Sequence, residues 1–111
     1  MKPTIGRIVH YTLTADDAAA INKRRTDFTA HQRTILGTPD PGHRGATGHI
    51  AHVGNHAEGG QTFPATIVRI FETGIVGTCN LQVTLDGTDT YWVTSRHEGD
   101  RPGTWSWPPR A

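Results

Sequence analysis

The sequence predicts a mainly β single domain over residues 1–111, with one N-terminal α-helix and a long loop insertion behind it. Three observations lead there. Apolar and polar side chains alternate with a period of two at the start of the chain and through its last third. One early stretch, ADDAAAINKRRTDF, carries start and stop signals for a helix. The 13 glycines and 7 prolines punctuate much of the remainder too often for further helices. Short strands separated by tight turns point to a small, strongly bent antiparallel barrel of SH3-like type, with a flat α+β sheet as the alternative.

The elements follow in order. In TIGRIVHYTLT, Ile5, Arg7, Val9, Tyr11 and Leu13 alternate with Gly6, Ile8, His10 and Thr12, which predicts a strand over residues 4–12. Thr14 and Asp17 stand at capping-box spacing, acids occupy the first turn, and Lys23, Arg24 and Arg25 complement the negative end of a helix dipole. The predicted helix runs from 15 to about 26. Residues 29–62 lose periodicity under frequent glycine and proline and read as a long surface excursion with a short helical turn around 29–36. That excursion is the first place to look for a binding lid or a subunit contact. FPATIVRIFE is the next strand, and NLQVTLDGTDTYWVTS is a hairpin turning at Asp86–Asp89. In the hairpin Leu81, Val83 and Leu85 alternate with Asn80, Gln82 and Thr84, and Tyr91 and Val93 with Trp92 and Thr94.

Composition narrows the function. A net charge of +1 supplies no field that argues for nucleic acid, and the Lys23-Arg24-Arg25 run reads as a solvated helix end. No apolar leader or membrane-length run is present, and the single Cys79 has no partner for an intramolecular disulfide, so a soluble protein of a reducing compartment is expected. A chain of this length buries only about two thirds of its unfolded surface, and homo-oligomerisation would add to a modest core.

Chemical motifs are few. His49, His52 and His56 in GHIAHVGNHAEGG would share a helical face, but Gly48, Gly54 and the Gly59-Gly60 pair oppose that helix and the metalloprotease pattern is missing. These histidines read as solvated loop residues, with no metal. Neither a nucleophile elbow nor a phosphate-cradling glycine loop occurs, and Cys79 beside an alternating strand reads as a buried, inert thiol. The carboxylate pairs Asp16–Asp17 and Asp86–Asp89 have structural explanations in a helix start and a turn. A non-enzymatic protein without a cofactor is the expectation.

The segments IGRIVHYTLT, AINKRR, AHVGN, FPATIVRIF and NLQVTLDGTDTYWVTSRHEGDRPGTWSWP together resemble a group of small proteins encoded by tailed phages and prophages, especially those of actinobacteria. The resemblance covers most of the chain apart from roughly residues 29–46. It implies a phage-encoded protein with a compact β fold, acting in the host bacterial cytoplasm or in the virion. It supplies no catalytic motif.

Binding features are better represented. Trp105 and Trp107 lie two apart, on one side of an extended segment, and Tyr91 and Trp92 belong to the hairpin. These aromatic residues could form a stacking platform, or the tail tryptophans could complete the core. Arg69 and Arg96 lie within or beside apolar strands and need solvent, a carboxylate or an anionic ligand. Placed under Trp92 or Tyr91, with His52 and Asn55 supplying directional hydrogen bonds, they would suit a phosphate-bearing nucleotide. The leading functional expectation is sequestration of a nucleotide-type bacterial immune signal. The competing expectation is a structural virion component, in head, tail or decoration, acting through protein–protein contacts.

Overall fold

The computed structural model describes residues 2–36 and 52–109, with side chains excluded over 31–36. The elements are β1 (Ile8–Thr12), α1 (Ala15–Leu36), β2 (Thr62–Ile70), β3 (Cys79–Thr84), β4 (Thr90–Arg96) and β5 (Trp105–Ser106). They form one antiparallel sheet in the order β4-β3-β2-β1-β5, with the helix as a second layer. The β3–β4 hairpin and the facing of its residues follow the alternation in the sequence.

The helix starts where the capping box places it: the Asp17 amide donates to Thr14 Oγ1 at 2.9 Å and the Thr14 amide to Asp17 Oδ2 at 3.0 Å. It extends to Leu36, ten residues beyond the expected end. No glycine or proline occurs between Ala15 and Leu36 to break a helix. The basic run at 23–25 is therefore mid-helix. Asp17, Ala18, Ile21 and Phe28 recur on the buried face at helical spacing. Of the expected 29–62 loop, residues 29–36 are helix, 52–55 meet the hairpin, 57–61 lie against the helix and the residue after β1, Thr62 opens β2, and 37–51 lie outside the described residues.

The first strand is shorter than expected. Residues before Ile8 make a turn at Gly6, whose φ of 89° favours glycine, with the Arg7 amide bonded to the Thr4 carbonyl. The register Val9↔Ala65↔Val83↔Tyr91 turns one set of side chains toward the helix. Val9, Tyr11, Leu13, Ala65, Ile67, Leu81, Val83 and Val93 make the core there with Ile21 and Trp105. Each large apolar side chain buried in this way contributes roughly 1.5–3 kcal/mol.

The sheet does not close into a barrel. β5 is two residues long, and the two ends of the sheet meet only at an isolated bridge between Glu98, just after β4, and Trp105. Irregularities between Ile67 and Arg69 and between β3 and β4 bend the strands. So short a final strand cannot complete a ladder along both edges, and one helix of 22 residues fills the concave side. The other face of the sheet carries no layer among the described residues.

Candidate functional site

Two places concentrate side chains with chemistry. The first is a polar junction where three segments meet: the middle of α1, residues 52–57, and the β3–β4 turn. The backbone sets it up. Gly54 bridges Gly87, the Thr88 amide donates to the Val53 carbonyl at 2.7 Å, and the Asn55 amide to the Asp86 carbonyl at 3.1 Å. The two chains approach so closely that a side-chain carbon on Gly87 would overlap the Val53 carbonyl.

Asp89 lies at the centre, its side chain only 4% exposed. Oδ2 accepts from Arg24 Nη2 at 2.8 Å and lies 3.0 Å from His52 Nδ1, while Oδ1 accepts from Arg25 Nη2 at 3.4 Å. Arg25 also donates to the Asn55 carbonyl, and Arg24 reaches the Thr90 carbonyl at 3.2 Å while its guanidinium lies over the Tyr91 ring. Asn55 donates to the Asp86 carboxylate at 2.6 Å. Asn22 clamps Ala57 from both sides, donating to its carbonyl and accepting from its amide. Both oxygens of Asp89 are engaged by cationic or imidazole nitrogens, so this carboxylate serves as a joint between helix and turn.

A second polar group lies under the start of the helix. Tyr11 donates its hydroxyl to Asp17 Oδ2 at 2.6 Å, and Arg96 Nη2 stands 3.7 Å from Oδ1, over the Tyr11 ring. Burial, and then the bond to Asp17, push the Tyr11 phenol well above its ordinary pKa. Tyr91 is raised as well, first by burial and then by the Asp17 charge.

The second place is the uncovered face of the sheet. Across four strands Trp92, Gln82, Thr66 and Ile8 stand in one row, side by side in the register. Trp92 is 56% exposed, Ile8 51% and Val68 40%. Arg69 lies exposed on this side, beside Asn80, with its guanidinium over the Phe71 ring. No strand of the sheet contains an aspartate or glutamate.

The residues expected to hold a nucleotide are spread over three environments. Arg69 and Trp92 belong to the open face. Arg96, Tyr91, Trp105 and Trp107 lie on the helix side: Trp105 is fully buried, with its indole N–H shared between the Gly77 and Arg96 carbonyls, and Trp107 packs edge-on against it at 5.4 Å. His52 and Asn55 are part of the Asp89 junction. The two arginines face opposite sides of the sheet, so the expected clamp of paired guanidiniums under an indole is not assembled. Beside Arg25, Asn55 and Asp86 is a hollow of about 100 Å³, below the several hundred cubic ångströms of a typical ligand pocket. A larger cleft of about 390 Å³ between Lys2, Phe71, Glu72 and Val76 contains none of the eight expected residues.

The reading of the histidines is similarly resolved residue by residue. His52 is occupied by Asp89, His56 is exposed, and His49 lies outside the described residues. No cluster of three metal-binding side chains occurs among the described residues. Sequence reasoning passed over Arg24, Arg25 and Asp89. Arg25 is 11% exposed at its side chain, so the basic run is not a solvated helix end; Lys23 alone of the three is largely solvated, paired with Asp27 in mid-helix. The available signal was charge complementarity: two arginines in AINKRR and two aspartates, Asp86 and Asp89, in DGTD.

Comparisons with protein-family models, with curated proteins and with solved structures return no match for this chain. No helix among the described residues is long and apolar enough to cross a membrane.

Proposed function

We propose that this protein is a phage-encoded, non-enzymatic interaction module, and that it serves as a structural virion component docking through the open face of its sheet. The row Trp92–Gln82–Thr66–Ile8 carries this reading. Three strand spacings make it about 14 Å long, with a large, half-exposed indole at one end and an aliphatic side chain at the other. An exposed indole on a rigid sheet is the kind of anchor that dominates protein–protein contacts. The strands forming this face carry Arg69 as a formal cation on it and have no carboxylate, so the partner of matching chemistry is an apolar protein surface with acidic residues at its rim.

The polar groups on the helix side support a non-enzymatic reading, because Asp17, Asp89, Arg24 and Arg25 are committed to one another or to backbone groups. The strand connectivity, with four strands paired in sequence and the fifth returning to the first, supports an SH3-like relationship in an open form. Mass spectrometry of purified particles tests the function. The protein is expected at a fixed ratio to the major capsid protein, and Trp92→Ser and Arg69→Glu are expected to reduce that ratio without unfolding it. Absence of the wild-type protein from particles would overturn the proposal.

A further inference from the structure

The two edges of the sheet are treated differently. At the β5 edge the strand is two residues long, Pro108 and Pro109 follow within three residues, and the outer side is taken up by the segment after β4. There the Trp105 amide donates to the His97 carbonyl at 3.0 Å and the Gly99 amide to the Trp105 carbonyl at 2.9 Å. Short length, proline and a covering segment are the usual protections of an edge. At the other edge β4 has seven residues, TYWVTSR, with no proline, lysine or acid, and no strand pairs with its outer side among the described residues. Its usable stretch is bounded by Arg24 at the Thr90 carbonyl and by Ser95, whose φ of 54° breaks the extended run.

We propose that this edge pairs with the same edge of a second copy, antiparallel, about a two-fold axis at Trp92, to give one continuous ten-stranded sheet. Register selects this pairing. A two-fold axis perpendicular to the sheet keeps open face on open face, so residues whose numbers sum to an even value stand opposite each other. Centred on Trp92, the pairs are Trp92 with Trp92, Val93 with Tyr91, and Thr94 with Thr90. These are aromatic and β-branched cross-strand pairs, the most favourable kinds, and no charged residue faces another. The backbone agrees with this centre. Arg24 donates to the Thr90 carbonyl from the helix, and Trp92, two residues on, turns its backbone groups to the same side as those of Thr90. The pairing goes beyond the docking role proposed above and uses the edge of the sheet, whereas docking uses its face; a dimer would double that face.

The test is sedimentation of the full chain over a concentration series, together with cysteine cross-linking. Wild type is expected to shift from monomer to dimer with concentration. Thr94→Pro, which removes an edge amide, is expected to remain monomeric with an unchanged circular dichroism spectrum. Should that variant misfold, the double variant Thr90→Cys/Thr94→Cys decides: on mild oxidation it is expected to form intermolecular disulfides, while native Cys79 is buried and silent. A wild type that is monomeric at every concentration, a dimer that survives Thr94→Pro in a folded protein, or the absence of cross-links at 90 and 94 would each overturn the pairing. Arg69→Glu should leave the dimer intact while impairing docking, so the two proposals fail separately.

Discussion

Replacing Tyr11 with phenylalanine removes one oxygen from the middle of the core and leaves every carbon in place. That oxygen donates to Asp17 at 2.6 Å in a site with no solvent exposure at Tyr11. A hydrogen bond to a charged acceptor contributes roughly 1.5–3 kcal/mol. Asp17 keeps the Thr14 amide at 3.0 Å and the Arg96 guanidinium at 3.7 Å, so its carboxylate is not orphaned. The loss should therefore fall near about 2 kcal/mol, which is roughly 1 M in urea midpoint at an ordinary denaturant slope. Alkaline pH supplies a second readout. Tyr11 holds its proton to a higher pH when folded than when unfolded, so its contribution is complete below pH ~10 and declines as pH rises above it. Each such group steepens the alkaline loss of stability by about 1.4 kcal/mol per pH unit. Tyr91 and Cys79 act in the same direction. Urea unfolding of wild type and Tyr11→Phe at neutral pH and above pH ~10 should show a less stable variant with a shallower alkaline decline. A variant as stable as wild type, with the same alkaline slope, would refute the account of this site.

Other outcomes follow from the junction and the core. Asp89→Ala leaves the largely buried Arg25 without its carboxylate and should cost about 3 kcal/mol in urea unfolding, the low end for one partner of a buried pair because Arg24 is partly solvated. Gly87→Ala forces the turn away from Val53, and amide exchange at Asn55 and Thr88 should quicken roughly 10- to 100-fold while Ile67 in the central strand is unchanged. The Cys79 thiol, buried and pushed above its ordinary pKa by that burial, should resist a thiol reagent in the native protein and react in full once urea unfolds it. Acrylamide should quench Trp92 fluorescence readily and leave Trp105 dark to it, so Trp92→Ser should abolish most of the quenchable signal.

The strands and their facing were legible because period-two alternation is a direct consequence of one buried face: Leu81, Val83 and Val93 are core as their neighbours' polarity implied. The helix start was legible for a similar local reason, the Thr14–Asp17 cap. Its end was not, because the Lys23-Arg24-Arg25 run imitates a last turn while its two arginines serve a distant aspartate. Such a partnership links residues 65 positions apart, and no local rule reports it. The barrel was over-read for a related reason: turns and strand lengths describe neighbours, whereas closure depends on pairing between the first-formed and last-formed edges. Arginines in strands signalled a need for counter-charge, yet whether a ligand, a carboxylate or an aromatic ring meets it is decided by which face each one takes.

The indole of Trp105 holds the β2–β3 turn and the end of β4 through two carbonyls, and every other buried core residue described precedes it in the sequence. During synthesis the growing polypeptide must therefore wait, with its early strands already made, until this residue leaves the ribosome and shuts the core. Pairing between such remote parts of a chain is slow, and the nascent protein is exposed to aggregation throughout that interval.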